Sequence, residues 1–372
     1  MEILPRRNQK CRSNGTAAIL EKSNDLLSGR VEVKTLYKVL LTEPIDPIGV
    51  KLLKEHFTVD LAPDPKEETI VSLIGDYDAL VIRATKLTEN ILDAGKKLKI
   101  VSRHGVGQDN LDIPAATHHK VLLTTTPGAN AHSVAEHAVG MAIVLMKRYG
   151  EAEKLLRDGT FNQPGSLTGL LSKIGFVNEV LEGKTIALVG TGAIAKRVAE
   201  ICHVGFGMNV IGYDPYVSAE VMAEHGIKKY ETVEEMLPLC DVLSVHVPKT
   251  PATENMINKD SFAKMRRNAV IINTSRGGIV NEADLAQALC SGQIAGAGLD
   301  VFSPEPPLLD NPLFSLENVI MTPHIAAASD GAMYNMSKCA AENILEYLEG
   351  GKPRFLLNPE IYVPVSEHPR RG

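Results

Sequence analysis

The chain has 372 residues, of which 44% are hydrophobic, and a formal net charge of −6 at pH 7. This length predicts two domains, and the negative charge argues against a general affinity for nucleic acid or anionic membranes. The five cysteines are scattered without a C-x-x-C pair. This pattern is typical of reduced thiols in a cytoplasmic protein rather than of a disulfide framework or a zinc site.

Residues 1–36 mix basic side chains with Asn, Ser and Gly, and they lack the apolar core of a secretory signal peptide. We expect a poorly ordered tail there, with a short organellar presequence as the alternative. No apolar run in the sequence reaches the length of a transmembrane helix, so no membrane partner is expected.

From residue 37 to about residue 131, short apolar runs alternate with helical segments, which predicts a parallel sheet. The strand-like runs are 37–42, 57–61, 77–83, 98–103 and 121–125. From His132 to about Arg157, an Ala-rich stretch predicts one long helix that crosses to a second domain. Residues 160–180 are rich in Gly and Ser, and we expect a surface loop or a short irregular helix.

A phosphate-binding fingerprint organises the second domain. The run Thr185–Val189 has the length of a buried strand, and the following residues fit G-x-G-x-x-A. Gly190 permits the tight turn, Gly192 leaves the backbone open to a pyrophosphate, and Ala195 lets the next helix pack closely. That helix directs its free N–H groups at the phosphates. A second strand ends at Asp214, whose carboxylate suits ribose hydroxyls and repels a 2′-phosphate, so we expect NAD rather than NADP.

Further strand-like runs follow at 242–246, 269–273, 296–300 and 318–322. With the first two strands, they complete a doubly wound sheet of about six or seven strands. Between about residues 329 and 348, a last helix is predicted, and a Pro-rich tail follows it.

Polar side chains stand just past several of these strands, where ligands bind in doubly wound sheets. Arg276 could hold a substrate carboxylate in a bidentate pair. His324 could exchange a proton with a 2-oxo group as a hydride is transferred, and Glu305 could orient its imidazole. Asp300 lies among them in the sequence.

Six motifs support a family resemblance: HGVGQDNLD (104–112), NAHSVAE (130–136), VGTGAIA (189–195), NTSRGG (273–278), GLDVFSPEP (298–306) and TPHIA (322–326). On these motifs, residues 37–357 resemble the D-isomer-specific 2-hydroxyacid dehydrogenases, and especially their phosphoglycerate dehydrogenase-like branch. The resemblance implies hydride transfer between NAD(H) and a small D-2-hydroxy acid or 2-oxo acid, such as hydroxypyruvate, glyoxylate or phosphohydroxypyruvate.

The same resemblance implies an α/β architecture of two doubly wound parallel-sheet domains and a homodimer. A Rossmann NAD-binding domain (132–324) is expected to be inserted into a flavodoxin-like substrate domain (37–131 and 325–357), with a C-terminal tail (358–372).

It also implies the roles of individual residues. The catalytic residues are expected to be Arg276, Glu305 and His324, and the substrate contacts to be Arg83, Ala84, Val106, Gly107 and Arg276. The implied cofactor contacts are Gly190, Thr191, Gly192, Ala193, Ile194, Asp214, His246, Val247, Pro248, Thr253, Thr274, Ser275, Arg276, Asp300, His324 and Ala327.

The sequence departs from the family pattern at three places. The third glycine of the fingerprint is Ala195, which the motif tolerates, and Ala84 stands where the family often has Ser, which removes one polar contact. Residues 160–180 run longer than usual and lack the basic cluster expected near a bound phosphate. With no regulatory module after Pro353, this argues against phosphoglycerate as the substrate in particular.

Two other functions fit parts of the pattern. A cofactor-sensing protein on the same fold, similar to the transcriptional corepressors, is the main alternative. A formate dehydrogenase is disfavoured because that branch has Gln where Glu305 stands. His132, Glu136 and His137 imitate the spacing of metal ligands on a helix, but the sequence has no H-E-x-x-H motif, and we expect no metal.

Overall fold

The structure is a computed structural model that describes residues 37–161 and 167–368. The predicted tail at residues 1–36 lies outside the described residues, as do residues 162–166 and 369–372. Within the described ranges, no helix combines the length and the apolar character needed to cross a bilayer.

The strands alternate with helices along the chain. In order, the strands are β1 (Lys38–Leu41), β2 (Thr58–Leu61), β3 (Ala79–Ile82), β4 (Ile100–Arg103), β5 (Leu122–Thr124), β6 (Thr185–Val189), β7 (Asn209–Tyr213), β8 (Lys228–Lys229), β9 (Val242–Val245), β10 (Val270–Asn273), β11 (Gly296–Leu299) and β12 (Val319–Met321). The helices are α1 (Pro47–Lys54), α2 (Glu67–Leu73), α3 (Glu89–Ala94), α4 (Ile113–His118), α5 (Ala131–Met146), α6 (Tyr149–Arg157), α7 (Leu167–Ile174), α8 (Ala193–Glu200), α9 (Ala219–Ala223), α10 (Val233–Met236), α11 (Lys259–Lys264), α12 (Glu282–Cys290) and α13 (Asp330–Leu348).

The first sheet has five parallel strands in the order β2-β1-β3-β4-β5, the flavodoxin-like order. Its central strands are buried on both faces, as parallel strands between helices must be. Successive side chains point to opposite faces, so Leu80 enters one hydrophobic cluster and Val81 enters the other. The chain returns to this sheet at its end, because α13 packs against α1 and β4.

The second sheet has seven parallel strands in the order β12-β11-β10-β9-β6-β7-β8. The strand order reverses between β6 and β9, and a crevice opens at such a point outside the carboxyl ends of the strands. On one face, α5 packs against α8, β10 and β11. The predicted fold class is therefore confirmed: a Rossmann domain is inserted into a flavodoxin-like domain.

The prediction of one long helix over residues 132–157 is wrong. α5 ends at Met146 and α6 begins at Tyr149, because Arg148 takes the left-handed conformation with φ of 53°. Its guanidinium donates to the carbonyl oxygen of Val177 at 2.9 Å and lies 4.5 Å from the ring centre of Phe176. These contacts with a distant segment stabilise a break that helix propensity does not predict. Residues 160–180, for which a surface loop or a short irregular helix was predicted, contain the helix α7 (Leu167–Ile174).

Beyond α13, the chain packs along the edge of the first sheet. Leu356 pairs with Thr124 of β5 in an antiparallel bridge. Asn358 is fully buried, and its side chain accepts from the backbone N–H of Leu123 at 2.9 Å and donates to the carbonyl oxygen of Val121 at 3.0 Å. The predicted C-terminal tail (358–372) therefore begins at Asn358, a buried residue that completes the edge of this sheet.

A buried histidine joins three parts of the first domain. His104 follows β4 and is 1% exposed, and its Nε2 lies 3.0 Å from Oγ of Ser337 on α13. The same hydroxyl accepts the backbone N–H of Asp46, the residue that caps α1, at 2.8 Å. Burial and then the positive charges of Arg83 and Arg103 lower the pKa of His104 to about 4. A neutral ring can accept the Ser337 hydroxyl proton, so this contact holds the loop after β4 against α1 and α13.

We expect this histidine to make the folded protein sensitive to mild acid. Between pH 6.5 and 4, an unfolded histidine binds a proton that folded His104 does not, so the free energy of unfolding falls as the pH falls. His104→Gln cannot titrate but keeps an acceptor for Ser337. Between pH 7.5 and pH 4, the free energy of unfolding of this variant should therefore fall by about 3 kcal/mol less than that of the wild-type protein. Urea unfolding of both proteins at pH 4–7.5 measures the difference, and parallel curves would contradict it.

Candidate active site

A cavity of about 400 Å³ lies at the carboxyl ends of strands from both sheets. Four of the predicted site residues line it together: Ala84 after β3, Arg276 after β10, Glu305 after β11 and His324 after β12. These residues are far apart in the sequence, and parallel strands bring them together because their carboxyl ends lie at the same edge.

His324 and Glu305 form a hydrogen-bonded pair in this cavity. Nδ1 of the imidazole lies 2.6 Å from Oε1 of the carboxylate, and both side chains are partly exposed. A carboxylate on Nδ1 fixes the tautomer and orientation of the ring and leaves Nε2 for proton exchange with a ligand. The arrangement is that of an oriented general acid and base.

Asp300 holds the loop that carries this histidine. Its side chain is fully buried and accepts three hydrogen bonds: from the Thr322 hydroxyl at 2.5 Å, from the Ile325 N–H at 2.8 Å and from the Ala326 N–H at 2.9 Å. His324 stands between Thr322 and Ile325 in the sequence, and its φ of 54° is unusual for a residue other than glycine. Asp300 therefore positions the imidazole, whatever contact it makes with a cofactor.

Arg276 reaches from the second domain to the loop after β4. Its Nε lies 2.7 Å from Oδ2 of Asp109, and its Nη1 donates to the carbonyl oxygen of Ser275 at 2.7 Å. A Cβ on Gly107 would overlap Nη2, so only glycine allows the guanidinium to lie against this backbone. Burial raises the pKa of Asp109, but hydrogen bonding to Arg276 and its charge outweigh this effect, so the pKa is lowered.

Two more cations line the cavity, and neither was predicted from the sequence. Arg103 ends β4, and its Nε donates to Oδ1 of Asn110 at 3.3 Å. Burial and the charge of Arg276 lower the pKa of Arg103 to about 10. Lys249 follows β9 and lines the same cavity. The signal for Arg103 was its position at the end of a strand, but we applied that rule only to the second sheet.

The crevice beside the cavity fits a dinucleotide. A Cβ on Gly192 would meet no atom within 4 Å, so open space lies in front of the N-terminus of α8. Oγ1 of Thr274 is buried and has no hydrogen-bond partner among the described residues. The Asp214 carboxylate accepts the N–H groups of Thr191 and Tyr216, each at 2.9 Å, which fixes it at the end of β7. The fingerprint, a fixed acid and an unpaired hydroxyl therefore surround the expected cofactor position.

The other predicted contacts are placed as follows. Within the described ranges, the cavity wall does not include the predicted substrate contacts Arg83, Val106 and Gly107. Val106 is 37% exposed on the loop after β4. Nε2 of His246 lies 2.9 Å from Oγ of Ser244, and burial lowers the pKa of this histidine to about 4. Oγ1 of Thr253 donates to the carbonyl oxygen of Pro248 at 2.7 Å.

The described ranges hold one group of possible metal ligands, formed by Glu89, Asp93 and His119, whose ligand atoms lie within 4.8 Å of one another. Nε2 of His119 lies 2.7 Å from Oε1 of Glu89, so these two side chains are in hydrogen-bond contact with each other. His137, which the spacing on α5 had singled out, bonds to Oγ1 of Thr322 at 3.0 Å.

Comparison with known proteins also indicates an NAD-binding domain. Residues 139–326 match the family described as D-isomer specific 2-hydroxyacid dehydrogenase, NAD binding domain. The D-3-phosphoglycerate dehydrogenase of Synechocystis is 37% identical over 335 residues, which cover 90% of this chain and 58% of that protein. The protein of the same name from Methanocaldococcus jannaschii is 36% identical, with 87% and 60% of the two chains covered.

The chain thus spans about three fifths of the length of these relatives. Among solved structures, the TT0316 protein of Thermus thermophilus has a TM-score of 0.75 and 28% identity, and the match covers 86% of this chain and 99% of that one. The predicted family and cofactor are confirmed: this chain belongs to the D-isomer specific 2-hydroxyacid dehydrogenases, in their phosphoglycerate dehydrogenase-like branch, and contains their NAD-binding domain.

Proposed function

We propose that the protein is an NAD-dependent dehydrogenase that interconverts a small 2-oxo acid and its D-2-hydroxy acid. The observation that carries this proposal is the contact of 2.6 Å between His324 and Glu305 in the cavity that Arg276 also lines. An oriented acid/base group beside a guanidinium matches the two ends of a 2-oxo acid, the carbonyl and the carboxylate. The cofactor-sensing alternative is not favoured, because the named relatives are dehydrogenases.

In the proposed mechanism, the guanidinium of Arg276 binds the substrate carboxylate and orients the carbonyl carbon. The segment at 190–194 and Asp214 would hold NADH, which would supply the hydride for that carbon. His324 donates a proton from Nε2 to the carbonyl oxygen, which becomes the hydroxyl of the product. Glu305 holds the ring through Nδ1 and stabilises its charged form before the proton leaves. In the oxidative direction, the neutral ring takes the proton back.

Arg103 supports a substrate with a second acidic group. It lines the cavity and forms no ion pair within 4.0 Å among the described residues, although the charges of Glu43 and Asp109 act on it from a greater distance. A cation that is largely removed from water without such a partner gains most from an anionic ligand. Together with the names of the relatives, this favours phosphohydroxypyruvate over glyoxylate, with hydroxypyruvate between them, and so reverses the expectation drawn from residues 160–180.

The remaining expectations from the sequence are also part of the proposal. Asp214 selects NAD, and the segments at 190–194, 246–248 and 274–276, with Thr253, Asp300 and Ala327, line the cofactor. The domain boundaries at 131/132 and 324/325, a homodimer and a cytoplasmic location are proposed as well. Exposed apolar side chains on α6, Tyr149 at 54% and Leu156 at 63%, support a homodimer interface.

The direct test is NADH oxidation by the purified protein across a panel of 2-oxo acids, with NADPH in parallel. The panel should contain glyoxylate, hydroxypyruvate, phosphohydroxypyruvate and a branched 2-oxo acid. We expect turnover with NADH, a kcat/KM for NADH at least about tenfold above that for NADPH, and the highest kcat/KM for a phosphorylated acid. Absence of turnover with every acid, while NADH binding is intact, would contradict the proposal.

The acid/base assignment is tested by His324→Ala. We expect kcat to fall by about 10²–10⁴, because a positioned general acid contributes on that scale, while the Kd for NADH stays nearly unchanged. Steady-state kinetics and NADH fluorescence measure the two quantities. The exposed His118 is a matched control, since His118→Ala removes the same side chain outside the cavity. Turnover of His324→Ala at the level of the control would show that another group donates the proton.

A further inference from the structure

One carboxylate outside the cavity wall binds the loop that follows β3. Glu43 stands just after β1. Its Oε1 accepts the N–H of Ala84 at 2.8 Å, and its Oε2 accepts the N–H of Arg83 and the hydroxyl of Thr85, each at 3.0 Å. The Thr42 hydroxyl also donates to Oε2 at 2.7 Å, and the N–H of Thr85 lies 3.4 Å from it. Three consecutive backbone N–H groups therefore converge on a single side chain.

Consecutive N–H groups that point to one spot form an anion-binding concavity. In this loop the protein itself supplies the anion. Burial raises the pKa of Glu43, but the hydrogen bonds from Thr42, Ala84, Arg83 and Thr85 outweigh burial and lower the pKa. The side chain therefore stays charged at neutral pH, and hydrogen bonds to a charged acceptor are about twice as strong as neutral ones.

The carbonyl groups of the same loop are bound from the other side. Nδ2 of Asn110 donates to the carbonyl oxygens of Thr85 at 2.8 Å and Arg83 at 3.2 Å. Its Oδ1 accepts from Nε of Arg103, a cation of the cavity wall. The loop and Arg103 are thereby joined into one hydrogen-bonded unit.

The cavity wall contains Ala84, Arg103 and Asn110, and within the described residues it does not contain Glu43. Because Glu43 occupies the N–H groups of residues 83–85, a substrate meets the Ala84 side chain here and finds no free backbone donor. We propose that Glu43 is a positioning residue that fixes the substrate-facing side of this loop and so sets the affinity for the 2-oxo acid. This inference rests on the proposed function and names a residue to which neither the sequence motifs nor the family resemblance gave a role.

The test compares Glu43→Ala and Glu43→Gln with Glu67→Ala. Glu67 on α2 is the matched control, because its carboxylate also accepts two side-chain hydrogen bonds, from Thr88 at 2.7 Å and Asn90 at 2.8 Å, and does not line the cavity. We expect Glu43→Ala to raise the KM for the best 2-oxo acid about tenfold or more, with kcat within about threefold and the Kd for NADH unchanged.

Glu43→Gln keeps an acceptor oxygen and should give a smaller rise in KM, and it replaces Glu43→Ala if that variant does not fold. Glu67→Ala should leave KM unchanged even if it lowers the melting temperature. A KM of Glu43→Ala equal to that of wild type would overturn the inference. Equal changes of KM and kcat in the Glu43 and Glu67 variants would overturn it too, because they would show general destabilisation only.

A second readout does not depend on turnover. Hydrogen exchange of the peptide that contains residues 83–85 should become faster in Glu43→Ala, and the affinity of the NADH complex for oxamate, a carboxylate that cannot be reduced, should fall about tenfold. If wild type reduces no 2-oxo acid, the proposed function fails, and exchange and oxamate binding still decide the role of Glu43. Wild-type values for both in Glu43→Ala would overturn that role.

Discussion

The arrangement of the site depends on the buried carboxylate of Asp300. A left-handed conformation at a residue other than glycine costs on the order of 1–3 kcal/mol, so His324 needs support from its surroundings. The N–H groups of the next two residues supply this support, because both donate to Asp300. Hydrogen bonds to a charged group are each worth about 1.5–3 kcal/mol, which is enough to maintain the turn. In this conformation of the loop, Nδ1 of His324 already lies 2.6 Å from Oε1 of Glu305.

Other loops around the cavity are held in the same way. Glu43 binds the N–H groups after β3, and Glu282 of α12 accepts the N–H of Ser303 at 2.6 Å, in the loop that carries Glu305. None of these supporting carboxylates lines the cavity within the described residues. The acids that do line it are paired with Arg276 and His324. Lys249 lies 3.4 Å from Oε1 of Glu254, outside the cavity wall, so Arg103 is the cation of this wall that has no ion pair among the described residues.

Sequence periodicity predicted the fold well because most of its strands are short, apolar and buried, as β3, β9, β10 and β11 are along their whole length. It missed β8 (Lys228–Lys229), since two lysines carry no apolar signal. Position after a strand end was enough to find Arg276 and His324. Glu43 also stands just after a strand, but the rule was applied only to the second sheet, and the rule would not have shown its partners, which are backbone N–H groups about 40 residues away. Contacts of this kind follow from loop geometry, which residue types do not encode in a readable pattern.

In the proposed mechanism, the pair of Arg276 and Asp109 raises the question of how a substrate carboxylate binds a guanidinium that already has a carboxylate partner. A guanidinium has five N–H donors in a planar fork. The bonds to Asp109 and to the Ser275 carbonyl oxygen use two of them, one on Nε and one on Nη1. The remaining donors on Nη1 and Nη2 suffice for a bidentate contact. Asp109 can therefore orient the fork across the two domains and remain bound when the substrate arrives, so binding does not require the ion pair to break.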